Sequence, residues 1–323
     1  MHERQHRSSW GISMTDLSTA IEQMAILFLV ACVGFASAKL GFIDNHAKDK
    51  FNKLLMNVTL PCMIVASAEG ASPDAAGALI GGAFVLGAVL FFMLLLIGFL
   101  CNLLLRVPHG QRRLYLFMSV CSNMGFLGIP LIASVFGDAS IILSSIFVMM
   151  QGVFLYSIGL MLLASKESGG ASMSWTSIVN PAMVACILAV ALFLGGVQLP
   201  SVIQGTLDMV GGLTTPIALM LIGVIISQVN VKAVVSEWRM YPYVAIKQLI
   251  VPAALFLVLR SFLDMPLLVG VFVLMMAMPV GTLVPMWAEQ FGRDPVLGAK
   301  GTIISTALSF AFLPVLITFM AMA

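Results

Sequence analysis

Ten apolar stretches follow one another along this chain with only short polar breaks between them. They run over Ala20–Ala38, Phe51–Ala68, Ala76–Leu105, Leu114–Phe136, Ala139–Ala164, Ile178–Val197, Val202–Val229, Tyr241–Phe262, Pro266–Ala288 and Val296–Met322. Each is close to the roughly 20 residues that a helix needs to cross hydrocarbon. Only 9% of the residues are charged, while 60% are hydrophobic. A soluble chain carries about 25% charged residues, so this one cannot build a surface that faces water all round. The pattern predicts an all-α polytopic membrane protein of ten transmembrane helices, with the lipid bilayer as its surroundings.

Several function classes drop out. The net charge of +2 by itself says nothing about nucleic acid, and no nucleic-acid partner is expected of a membrane-embedded chain. The five cysteines all lie in apolar runs without a C-x-x-C pair, and the four histidines lie in the tail or in loops. No metal site and no histidine-based triad can then form at membrane depth. A phosphate loop, H-E-x-x-H and G-x-S-x-G are absent, so an enzyme is not expected. No cofactor is expected either, and a coupling ion, H+ or Na+, is left open.

The organisation reads as a polar tail over residues 1–19, a first set of five spans over 20–164, a Ser/Gly-rich linker over 165–177 and a second set over 178–323. Met14 with the following Thr-Asp-Leu-Ser-Thr resembles a normal start, so Met1–Ser13 reads as an upstream extension or a disordered tail. Twelve of the sixteen lysines and arginines fall in the loops after odd-numbered spans. That asymmetry places those loops, the central linker among them, in the cytoplasm and both termini outside. A shift of 155 positions lays Gly41 on Gly196, Pro61 on Pro216, Pro130 on Pro285, Phe136 on Phe291 and Gly137 on Gly292. Because each copy holds an odd number of spans, the two copies must enter the membrane from opposite sides. Such inverted repeats, each with an interrupted helix, point to a transport site at their interface.

The interruption in the first copy is the stretch Ser119–Asp138, which carries Asn123, Gly125, Gly128 and Pro130 inside an apolar span. Pro130 has no N–H and clashes with the carbonyl of Phe126, and the glycines weaken the same turn. Backbone groups released in lipid need partners inside the protein or in a wet cavity. Asn123 is therefore a candidate substrate ligand, or else a cap for its own helix. Gly125 and Gly128 allow close approach by ligand or by a neighbouring helix. Pro130 and its mate Pro285 are expected to set two half-helix N-termini at one level, where free N–H groups favour an anion. Pro279, Gly281 and Thr282 should form the other face, with Thr282 donating to a carboxylate or back to its own helix. Asn57 and Thr215 flank the repeat mates Pro61 and Pro216 and are further candidates. Lys247 is the basic residue set deepest within a span, the others lying near span ends or outside the spans. It either faces the interior and attracts an anion, or snorkels to the headgroups. Gln151 reads as a helix–helix contact, and Glu69, Asp208 and Glu289 as acids near span ends.

Leu40-Gly-Phe-Ile43, Leu60-Pro-Cys62, Asn123-Met-Gly-Phe-Leu-Gly-Ile-Pro130, Asn180-Pro181, Thr215-Pro216 and Phe291-Gly-Arg-Asp294 together resemble the auxin efflux carrier family, above all its bacterial members. The resemblance extends from about Ala20 to the C-terminus. It implies two inverted five-helix repeats with broken helices 4 and 9 crossing at mid-membrane, in a bacterial inner membrane. It also implies a secondary transporter of a small organic anion such as malonate or malate, working by alternating access. The departure is Met278-Pro-Val-Gly-Thr282, where many relatives place an asparagine. An anion channel and a non-transporting membrane sensor are the alternatives, and pairing of two copies is left open.

Overall fold

The computed structural model describes residues 14–66, 73–163, 181–227 and 236–323. The tail before Met14, Glu69 and the Ser/Gly-rich linker lie outside these residues. The described chain is all-helical, and its one β-type pairing is an isolated antiparallel bridge between Ser122 and Val280. Four segments are long and apolar enough to cross a bilayer by themselves: Leu79–Leu104, Ser201–Val224, Met240–Phe262 and Pro295–Met322. Phe28–Lys39, Met124–Phe136, Ala139–Phe154 and Pro266–Met276 are apolar but shorter. The first helix begins at Met14, ahead of the expected span start at Ala20.

Burial follows a lipid-facing logic. Val85, Phe99 and Leu103 on the helix Pro73–Leu104 are exposed, as are Phe28 and Leu29 on the first helix. Ser119, Asn123, Ser144, Gln151, Lys247, Gln248, Thr302, Ser305 and Ser309 are buried. Apolar groups outside and polar groups inside suit hydrocarbon surroundings, in which polar side chains must find partners within the bundle. The first helix packs along Thr214–Ser227. At Gly34 and Gly223 a Cβ would overlap the backbone of the other helix. Small residues at such a crossing let two backbones touch.

Prolines do not break these helices where the sequence suggested. Among the described residues four π-helical turns occur, at Leu55–Thr59, Met124–Gly128, Leu155–Gly159 and Ile246–Ile250. Three of them end two residues before a proline, namely Pro61, Pro130 and Pro252. In each case the last N–H before the ring reaches back five residues: Leu60 to Leu55, Ile129 to Met124 and Val251 to Ile246. The wider turn makes room for a ring that would strike the carbonyl four residues earlier. The helix therefore continues through Pro130, and the opening lies upstream at Cys121–Asn123.

Four glycines adopt positive φ: Gly41, Gly137, Gly196 and Gly292. They form two pairs, Gly41 with Gly196 and Gly137 with Gly292, each separated by the same 155 positions that relate the sequence landmarks. Each closes a helix end, where a side chain on a left-handed residue would be strained.

Candidate functional site

Two helices stop in the middle of the bundle. Arg112–Val120 ends at Cys121, whose φ of −85° and ψ of 75° leave the helical region. Pro266–Met276 ends at Ala277, and helix resumes only at Val284. The two interruptions meet. The Asn123 N–H donates to the Pro279 carbonyl at 2.7 Å, and the Gly281 N–H donates to the Cys121 carbonyl at 2.7 Å. Pro279 fits here because its position in the pairing uses only a carbonyl. Gly281 fits because a Cβ would lie 3.0 Å from the Cys121 carbonyl oxygen.

The remaining groups at the crossing are satisfied from three other helices. The Gln151 amide donates to the carbonyls of Val120 and Ser122 at 2.9 and 3.0 Å. The Val280 N–H donates to Ser305 Oγ at 3.0 Å, and Thr302 Oγ1 donates to the Gly281 carbonyl at 3.0 Å. Gln248 Nε2 in turn holds the Ser305 carbonyl at 3.1 Å. Lys247 Nζ donates to Ser122 Oγ at 2.9 Å and to the Met278 carbonyl at 2.6 Å. Lys247 is 1% exposed, so its side chain turns inward and does not reach the headgroups. No carboxylate pairs with it among the described residues, where the ion pair seen is Lys300 with Glu237.

One donor stays free. Asn123 is 3% exposed, and its Nδ2 has no hydrogen-bond partner. Asn123 opens the half-helix that runs on through Met124–Gly128 to Phe136. The N–H groups of Leu127 and Gly128 bond back to the Asn123 carbonyl. Those of Gly125 and Phe126, in the first turn, have no acceptor within the helix. These groups border a pocket of about 110 Å³, lined by Ser122, Asn123, Gly125, Phe126, Gln151 and Thr282 among others, with no Asp or Glu in its wall.

The candidates from the sequence separate into groups. Asn123, Gly125, Gly281 and Thr282 line the pocket. Pro279 takes part in the bridge beside it, and Lys247 stands behind Ser122. Gly128 is buried against Met275 and Met278, and Pro130 is buried two turns into the half-helix. Pro285 begins the helix Val284–Gln290, close to Gly298. Thr215 lies elsewhere, in a second pocket of about 460 Å³ that also contains Asp138, Gln204 and Asp208. Asn57 is exposed and donates to the Lys53 carbonyl of its own turn. Glu289 is exposed.

Ser122, Thr302, Ser305 and Gln248 went unnoticed in the sequence. A signal did exist: Thr302, Ser305, Thr306 and Ser309 follow a spacing of three and four within an apolar helix, and all four are buried. A polar stripe of helical period in a membrane span marks the face turned toward other polar groups.

No curated relative matches the chain at a significant level. The family model described as membrane transport protein matches residues 19–317. With its apolar exterior and its polar crossing, the chain belongs to that family of membrane transporters, the auxin efflux carrier family.

Proposed function

We propose that this protein is a secondary carrier for a small organic anion, a mono- or dicarboxylate of the size of malonate or malate, and that it works by alternating access. One observation carries the reading. The pocket beside the crossing presents an unpartnered buried amide, Asn123 Nδ2, next to the first turn of a half-helix and without any acid in its wall. A helix N-terminus carries about half a positive charge, and free N–H groups there suit a carboxylate. Thr282 supplies a hydroxyl from the second interruption.

The same reading includes ten spans in two inverted repeats. The equally spaced glycine pairs and the meeting of the two interruptions are what inverted repeats would produce. The distribution of lysine and arginine favours cytoplasmic odd-numbered loops, external termini and, with the resemblance to bacterial carriers, an inner membrane. Movement of the crossing unit against the helices Met14–Lys39 and Thr214–Ser227 would expose the pocket to each side in turn.

The test is transport by the purified protein in liposomes. Radiolabelled malonate or malate should enter saturably, and unlabelled substrate trapped inside should accelerate entry. Entry without saturation or counter-flow would indicate a pore. Absence of entry for every carboxylate tried would remove the anion reading.

A further inference from the structure

We infer that the Lys247 ammonium is a tethered cation: it fills, from within the chain, a place between the two interrupted helices that would otherwise require a free monovalent cation. The crossing is then complete without sodium. This extends the carrier reading to its coupling ion, and it rests on that reading only for the consequence that transport proceeds without sodium.

The geometry argues as follows. Arg112–Val120 and Pro266–Met276 both bring their C-termini to the crossing. Each helix C-terminus is equivalent to about half a negative charge, so the pair presents roughly one negative charge to the buried Lys247 side chain. One lysine cancels it. The contacts of Nζ are a hydroxyl and a backbone carbonyl, Ser122 Oγ and Met278 O. Unwound carbonyls at half-helix C-terminal ends are the oxygens that hold sodium in carriers with interrupted helices. The neutral donors Gln151 and Thr302 each serve one interruption, whereas Lys247 joins Ser122 in the first to Met278 in the second. With no carboxylate paired to it among the described residues, the charge finds its compensation in the two helix ends. A fully buried ammonium lacking any such compensation would be strongly destabilising.

The experiment follows thermal unfolding of the purified full chain in detergent at constant pH and ionic strength, in sodium chloride, ethylammonium chloride or choline chloride. The wild type should unfold at the same temperature in all three. Lys247→Ala, which vacates the space, should unfold several degrees lower in choline and recover saturably with sodium or ethylammonium. Lys247→Met, which fills the space without charge, should stay low in every salt. A saturable sodium dependence of the wild type would overturn the inference, as would a Lys247→Ala protein indifferent to both small cations. If Lys247→Ala is recovered folded only when extracted in ethylammonium or sodium, the inference stands; if no cation recovers it, the inference fails. No anion enters the measurement, so failure here leaves the anion reading intact. A chain that ignores every carboxylate yet shows the rescue keeps the tethered cation and loses the anion.

Discussion

The two interruptions at the centre of this bundle are chemically unlike. The first spans Cys121–Asn123, is followed directly by a π turn and leaves the Asn123 amide without a partner at the pocket wall. The second occupies the longer stretch from Ala277 to Leu283. Met278 and Val280 there are fully buried, and the backbone is held by Lys247, Ser305 and Thr302. One break keeps a buried amide donor in reserve, and the other has its backbone tied to three side chains. On the proposed reading, ligand contact falls mainly to the first and mechanical support to the second. It also gives meaning to the lack of an asparagine in Met278-Pro-Val-Gly-Thr282, since a clasp needs no free amide.

That division can be broken by substitution. The largest effect should come from Gly281→Val, which forces a branched side chain against the Cys121 carbonyl. Overpacking of this kind costs roughly 2–3 kcal/mol, read as a lowered unfolding midpoint in detergent. Unchanged stability would mean that the bridge is not a structural clasp. Next comes Asn123→Ala, which should slow carboxylate uptake about tenfold or more, equivalent to ~1.4 kcal/mol. Its unfolding midpoint should hold, because no hydrogen bond of the side-chain donor is lost. Normal uptake would take Asn123 out of the site and erase the contrast.

Ser305→Ala should do the reverse, costing about 1 kcal/mol by leaving the Val280 N–H unpaired while uptake by the folded fraction persists. A selective loss of uptake would place ligand contact in the second break as well. The smallest effect belongs to Asn57→Ala, within about 0.5 kcal/mol in stability and with unaltered uptake, because its amide serves only its own exposed turn. Loss of uptake there would return Asn57 to the site.

Parts of this arrangement were legible from local rules. An asparagine, two glycines and a proline in one apolar span announce a helix in difficulty, and lipid turns that difficulty into a demand for partners. The position of the opening was less accessible. Pro130 looked like the break because its ring conflicts with an α-helical carbonyl, but one π turn relieves that conflict at low cost. The same device precedes Pro61 and Pro252, whereas Pro314 lies within the uninterrupted helix Pro295–Met322 without one. A proline therefore states that backbone hydrogen bonding must change, not where the chain will open.

The sequence by itself determined the apolar helices, the repeat of 155 positions, the glycines that close helix ends and the presence of a lysine inside a span. These are properties of single residues and short spacings, set by hydrocarbon thickness, steric limits on φ and the cost of exposing backbone to lipid. Tertiary structure alone decided that Lys247 turns inward, that Gln151, Thr302 and Ser305 meet the freed backbone, and that Thr215 lies in a different pocket from Asn123. A lysine has four rotatable bonds and reaches headgroups or interior with equal ease. Its direction is chosen only when a hydroxyl and a carbonyl from two distant parts of the chain have been brought within reach.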